Sequence, residues 1–418
     1  MTHPPSGGGL CRRAVIEAAA TLATAQLAAP FVVAARGEQP VRFGYIDPLT
    51  GAYADVARSE ITGARHAVEE VNAAGGVLGR RLELLVEDSA NDVGTGVQKA
   101  RKLLDRDGVS VLFADVNSAI AYAVAQVATE RRVLDIVPGG HTDPITGSDC
   151  KWNVFRICNT TRMDANAIAG LLMEKFGRKW YFLTPDYAYG HTLQAAFVAQ
   201  LTRHGGTYDA ALTPIGTTDY SSFLIKARAY APGVLIDIMG GNDQVNSLKQ
   251  YAQFGLQQQM PVSGTLFELE SLRAVPDVAR VGWWTMEWWW NQPGVAAVQR
   301  FDAAMRRLTG RAATARNWFG YAAVRVAALA ANQAGSLDGV KMAHVLEGYV
   351  LPPEIALQAN QIAFRAGDHE LMSSIFVGEA HPPKSGDPDD MFTVAKIVPG
   401  IDVDGPLAET GCNLAFPA

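Results

Sequence analysis

Asp186, Asp243 and Glu268 lie in or beside turn-rich loops and could in principle transfer protons, but nothing in their spacing pairs them. The eight histidines, among them His141, His191, His204 and His369, lack the short intervals that bring two imidazoles to one metal ion. A Gly-x-Ser-x-Gly nucleophile turn, a His-Glu-x-x-His helix and a phosphate-cradling glycine loop ending in Lys-Ser/Thr are all missing. No cofactor and no metal are therefore expected. What the chain offers instead is strand-to-helix turns, whose unpaired backbone N–H groups hold anions and polar solutes without reacting with them. Asp115-Val116-Asn117-Ser118, after the apolar run 109–114, is such a turn. Asn117 and Ser118 there suit plain helix capping.

These turns need elements to hold them. Residues 41–46 alternate as a half-buried strand does, and Pro48 with Gly51 supplies the turn that ends it. Ala57, Ile61, Ala64, Val68 and Val71 then fall at steps of four and three, one stripe of an amphipathic helix. Gly75-Gly76 stops that helix before a strand over 82–86. The alternation continues, with strands over 109–114, 133–137, 180–183 and 234–238 and helices between them. Such a pattern gives parallel sheets covered by helices on both faces. The chain is too long for one such sheet, so an α/β protein of two doubly wound parallel-sheet lobes is expected.

A net charge of −6, or −7 without residues 1–35, and the lack of a basic stripe argue against nucleic acid as partner. Residues 1–35 read as an export signal for a periplasmic protein. Arg12-Arg13 precede apolar residues, 18–35 is uncharged and alanine-rich, and Val33-Ala34-Ala35 suits signal peptidase. The paired arginines favour the twin-arginine route, with Glu17 a poor fit and general secretion the alternative. Pro30 disfavours a retained anchor. Cys11 would leave with the signal, and Cys150, Cys158 and Cys412 lack the pairing of a zinc site.

Pro48-Leu49-Thr50-Gly51, the helix containing Gly63-Ala64, the run Val71-Asn72-Ala73-Ala74-Gly75-Gly76-Val77-Leu78-Gly79, and Glu87-Asp88 also carry a resemblance. Together they resemble the amino-terminal signature of branched-chain-amino-acid-type solute-binding proteins of ABC importers, which share the type I periplasmic binding fold. The likeness is distributed and runs, with gaps, from residue 41 to the carboxyl terminus. It implies three crossovers, near residues 157–162, 283–288 and 364–374. Lobe 1 would hold 36–160 plus 285–368, and lobe 2 would hold 161–284 plus 369–418. It further implies a cleft that closes by hinge motion over a small organic solute, and a membrane permease as partner. The same fold serves amide-binding sensors, the alternative function; a secreted hydrolase is the more distant one.

The resemblance also distributes roles. Carboxylate recognition falls to Asn117 and Ser118, and Asp115 is a substitute counter-ion for a ligand's ammonium. Pro138-Gly139-Gly140-His141-Thr142 resembles a ligand-contacting loop, which assigns Gly140, His141 and Thr142. Tyr53 would wall the cleft, and Tyr189, just before Gly190, would close over the ligand. Asn242 stands where relatives often carry an aromatic ring. Beyond Gly264, amino-acid-binding members place a carboxylate for the ligand's ammonium; here Thr265-Leu266-Phe267 occupies that region, which assigns Phe267 to the ligand, with Glu268 and Glu270 the nearest acids. A desolvated, unpaired ammonium is costly, which favours an organic acid or an amide over an amino acid. Trp283-Trp284 and Trp288-Trp289-Trp290 either pack the hinge and core or stack on a planar ligand through Trp288. Cys150 and Cys412 match the places of two cysteines in some relatives, implying a disulfide between them. A Cys150–Cys158 bond is the alternative, and the leftover thiol would be a buried filler.

Overall fold

The computed structural model describes Met1, His3 and residues 39–417. Apart from Met1 and His3, the export signal expected over 1–35, with Arg12-Arg13 and Cys11, lies outside the described residues.

β1 (Val41–Asp47) is buried along nearly its whole length, as a strand covered on both faces must be. α1 (Ala54–Ala73) follows and buries Ala57, Ile61, Ala64 and Val71, the stripe read from the spacing. β2 (Leu82–Asp88), α2 (Val93–Asp105), β3 (Val111–Ala114), α3 (Ser118–Glu130), β4 (Leu134–Val137) and β5 (Val154–Arg156) complete the unit. The five strands are parallel, in the order β2-β1-β3-β4-β5.

A second lobe repeats the scheme. It runs α4 (Thr161–Phe176), β6 (Lys179–Pro185), α5 (Ala188–Arg203), β7 (Thr207–Thr213), α6 (Ser221–Tyr230), β8 (Val234–Asp237), α7 (Gly241–Gln253), β9 (Val262–Gly264) and α8 (Leu269–Ala274). Its strands are parallel in the order β7-β6-β8-β9. In both sheets the winding reverses beside the first strand, at β1/β3 and β6/β8. That switch point is where open α/β sheets receive ligands.

A third sheet, antiparallel, has no counterpart in the sequence pattern. β10 (Trp283–Met286) pairs antiparallel with β11 (Ile375–Ala380), and β11 pairs with β12 (Phe392–Val398). Between β10 and β11 the chain returns to the first lobe as α9 (Ala296–Thr309), α10 (Ala315–Ala334), α11 (Gly339–Leu346) and α12 (Pro353–Ala356). Phe301, Trp318, Ala327 and Leu346 of these helices share one core with Phe43 and Phe113 of the first sheet. Before the carboxyl-terminal tail, three passages therefore join the lobes, over residues 157–160, 287–295 and 357–374.

The end of the chain departs from the expected division. The resemblance implies that residues 369–418 belong to lobe 2, but Cys412 is disulfide-bonded to Cys150, with Cα atoms 5.5 Å apart. Phe416 stacks on His344 at 4.1 Å between centroids and packs beside Trp152, so the tail finishes on the first lobe. Among the described residues Cys158 is the free thiol, and it is buried in the first-lobe core.

Two measurements probe these ties. The disulfide closes a separation of 262 residues, so replacing both cysteines by serine should lower unfolding free energy by about 2–5 kcal/mol in a denaturant titration. An unchanged midpoint would mean the tail is held by packing alone. In the third passage His369 stacks on Phe155 at 3.9 Å, and burial holds its imidazole down at about 4. The neutral ring is the folded form, so its contribution is complete above the ordinary value of 6.5 and is lost as pH falls through 4. NMR titration should place the His369 midpoint near 4; a midpoint at the ordinary value would refute the buried neutral ring.

Candidate functional site

Loops from the carboxyl ends of strands in both sheets converge on one buried cavity. The first lobe contributes Tyr53 after β1, Val116 after β3 and His141 after β4. The second contributes Tyr187 and Tyr189 after β6, Met239 and Gly240 after β8, and Leu266 and Glu268 after β9. Arg316, in the first turn of α10, completes the wall. The free room is about 20 Å³, space for one or two water molecules.

The lobes meet directly around this cavity. The Tyr53 hydroxyl donates to the Tyr187 hydroxyl at 3.0 Å, and the Asn242 N–H donates to the Ala52 carbonyl at 2.9 Å. That approach needs the double glycine: Gly241 has φ +54°, and a Cβ there would lie 2.5 Å from the Ala52 carbonyl oxygen. Thr142 Oγ1 and Thr192 Oγ1 are 3.3 Å apart. Arg316 Nε donates to Glu268 Oε1 at 2.5 Å across the same boundary.

Arg316 is the electrostatic centre of the site. A cation at a helix start opposes the helix dipole, so it requires anionic partners. Arg316 has two, Glu60 Oε1 on α1 at 2.7 Å and Glu268, and its guanidinium lies 5.3 Å from the Phe319 ring. Glycines make that placement feasible. A Cβ on Gly63 would sit 1.8 Å from the Asn317 carbonyl oxygen, and one on Gly320 would sit 1.9 Å from that of Glu60, so α1 and α10 touch backbone to backbone. A Cβ on Gly139 would fall 2.4 Å from Arg316 Nη1. Burial pushes the Glu268 carboxyl up to about 8 against the pull of Arg316, and raises Glu60 as well. Burial works against the guanidinium charge, but Glu268 and Glu60 outweigh it and keep Arg316 protonated.

His141 sits beside this centre, its Nε2 2.7 Å from Glu287 Oε2, and burial lowers its pKa despite that carboxylate. The other Glu287 oxygen accepts from the Asn159 N–H at 2.5 Å. One carboxylate thereby links the first and second passages to a cleft residue. Tyr189 packs edge-on to His141 at 5.9 Å. Its hydroxyl is buried without a well-formed hydrogen bond, as is the neighbouring Thr265 hydroxyl.

Of the residues singled out from the sequence, Tyr53, His141 and Tyr189 line the cavity. Others are occupied elsewhere. Asn117 caps α3 by accepting from the Ala119 N–H, and its amide donates to Asn91. Ser118 Oγ accepts from the His141 and Thr142 N–H groups, anchoring that loop rather than a ligand. Asp115 accepts from the Asn117 N–H and lies buried outside the cavity wall. The Gly140 carbonyl accepts from Arg156, and Thr142 bridges to the second lobe. The Asn242 side chain is exposed. Phe267 points into the second-lobe core against Trp284, at 4.7 Å. Trp288 donates to the Leu357 carbonyl and packs on Phe301 in the first-lobe core, which is the packing role weighed for the tryptophans. Asp186 is exposed beside His191, and Asp243 accepts from the Gly216 N–H, so neither converges with Glu268. Among the described residues no group of three His, Cys, Asp or Glu side chains could hold a metal ion, and no helix is long and apolar enough to cross a membrane.

Residues 40–387 match the sequence profile of periplasmic binding proteins. A stretch of 209 residues is 32% identical to the Leu/Ile/Val-binding protein BraC3 of Rhizobium johnstonii, covering 49% of this chain and 56% of that protein. The chain thus spans about half the length of this curated relative. The crystal structure of a periplasmic binding protein from Burkholderia mallei superposes with a TM-score of 0.83 at 25% identity, over 89% of this chain and 98% of the other. A solute-binding protein of an ABC transporter from Rhodopseudomonas palustris BisB5, solved with 3,4-dihydroxybenzoic acid, shares the fold with a TM-score of 0.79 at 20% identity, over 87% and 98% of the two chains.

The helix contact that positions Arg316 is open to test. Gly320→Ala should force α1 and α10 apart and cost about 2–3 kcal/mol or more by chemical denaturation. A loss within the usual surface range of about 0.5 kcal/mol would show that the contact tolerates a methyl group.

Proposed function

This chain belongs to the periplasmic binding protein family, and from that premise we propose that it is an exported solute receptor of an ABC importer. It takes a small organic solute between its lobes, closes about the three passages and delivers the solute unaltered to a membrane permease. The solute is an amino acid, an aromatic or other organic acid, or an amide. One observation carries this reading: strand-end loops of two separate sheets converge on a small cavity whose wall holds a tyrosine hydroxyl without a well-formed hydrogen bond. A solute touching both lobes binds the closed arrangement better than the open one, and that difference is what shifts the population. The room of about 20 Å³ means that a solute enters with the lobes apart and displaces contacts such as Tyr53–Tyr187. A relative named for leucine, isoleucine and valine binding and a structural neighbour holding 3,4-dihydroxybenzoic acid support solutes of that size. The separation of Asp186 and Asp243 from Glu268 suits holding rather than turnover. Arg12-Arg13 and the apolar stretch after them suit a periplasmic destination.

A thermal-shift screen of the mature protein against amino acids, aromatic acids, short amides and urea tests the proposal. A solute present at 100 times its Kd should add about 2.7 kcal/mol of stability. Tyr189→Ala should weaken the best hit by about tenfold or more. Stabilisation that survives this substitution unchanged would move the site away from the cavity, and turnover of the solute would end the receptor reading.

A further inference from the structure

We infer that Arg316 is the group that reads a solute's carboxylate in this cleft, and that Glu268 is a built-in stand-in which the solute's carboxylate displaces. The inference rests on the receptor reading of the same cavity. The helix start that would ordinarily hold an anion is already committed here: Asn117 caps its own helix, and Ser118 Oγ takes the N–H groups of His141 and Thr142. Arg316, by contrast, lines the cavity.

The two partners of Arg316 differ in kind. Glu60 belongs to the first lobe, receives a second hydrogen bond from the Tyr45 hydroxyl at 3.0 Å, and stays with Arg316 whatever the lobes do. Glu268 belongs to the second lobe, between β9 and α8, and among the described residues Arg316 is the only hydrogen-bond donor to its carboxylate. Parting the lobes removes Glu268 and leaves Arg316 with its Nε edge open to the cleft. A guanidinium edge presents paired donors in a fixed plane that fit a carboxylate. An ammonium placed there would instead face a like charge fixed by Glu60, Phe319 and the Gly139 clearance. The class is therefore a monocarboxylate, with an apolar or aromatic body against Tyr53, Tyr189, Met239 and Leu266. Displaced from Arg316 but still buried, Glu268 loses the partner that pulls its pKa down, so the burial that already raises its carboxyl favours the neutral acid. In that form it can donate a hydrogen bond to the incoming carboxylate instead of repelling it.

Calorimetry with benzoate, isobutyrate and leucine, and with benzamide as the neutral counterpart, separates the outcomes. Glu268→Gln should bind at least one of the carboxylates about tenfold tighter than wild type, with benzamide unchanged. Arg316→Lys keeps the charge and loses the planar edge; it should fold, by its melting curve, and bind that carboxylate about tenfold weaker. Equal carboxylate affinity in wild type and Glu268→Gln, or in wild type and Arg316→Lys, overturns the inference. So does the failure of all three carboxylates to bind either wild type or Glu268→Gln. If a carboxylate binds and Tyr189→Ala weakens it while Glu268→Gln changes nothing, the receptor reading stands and this inference falls. If Tyr189→Ala is also without effect, both fall.

Discussion

The cleft depends on two helices that touch backbone to backbone. Gly63 faces the carbonyl of Asn317, and Gly320 faces the carbonyl of Glu60, so neither α1 nor α10 could carry even a methyl group at its contact point. This contact sets Glu60 beside Arg316 and aims the guanidinium at the strand ends. A buried ion pair of this kind seldom adds net stability, because desolvation offsets most of its attraction. Here two surrounding features, the reciprocal glycines and the clearance at Gly139, exist to accommodate the pair. That arrangement is better explained by a need to position a charge than by a need for stability.

The contacts that close the lobes are of a different character from those inside them. One core runs through the first sheet and the helices that return to it, and separate cores fill the second lobe. Across the boundary stand the polar Tyr53–Tyr187, Asn242–Ala52, Thr142–Thr192 and Arg316–Glu268 contacts, beside the His141–Tyr189 ring contact and one small apolar cluster in which Val56 and Val116 meet Tyr187 and Ile215. Water can replace the polar partners at modest cost when the lobes part. Glu287 adds a link between the passages and the cavity, since it holds both Asn159 and His141. Movement of the passages is in this way felt at a residue of the wall.

Period and turn chemistry made most of the α/β framework legible. The strand read over 41–46 is Val41–Asp47, the one over 234–238 is Val234–Asp237, and the helix stripe through Ala57, Ile61 and Ala64 is buried as its spacing required. The antiparallel sheet was not legible, because β10 is separated from its partner by four helices of the other lobe and shows no alternation that its neighbours lack. At the site, family likeness led to Tyr53, His141 and Tyr189, which line the cavity. It pointed to Phe267, whose ring packs in the second-lobe core against Trp284, while Trp288 takes the packing alternative against Phe301. Arg316 was missed altogether, although a signal existed: an arginine in the first turn of a helix otherwise charged only at Arg325 opposes the dipole and implies a carboxylate partner. Which carboxylate could not be read, since Glu60 lies 256 residues away and is brought close only by the helix contact.

The Cys150–Cys412 bond has one more effect. Cys150 precedes the first passage out of the first lobe, and Cys412 comes after the last return to it. All of the second lobe is therefore enclosed within a covalent ring. A protease that nicks an exposed second-lobe loop would leave two fragments still fastened together, and the noncovalent cores could hold the cut receptor in working shape. In surroundings that keep the bond oxidised, a single cut there releases no fragment, where an open-ended two-lobed chain would have only noncovalent contacts to hold its pieces.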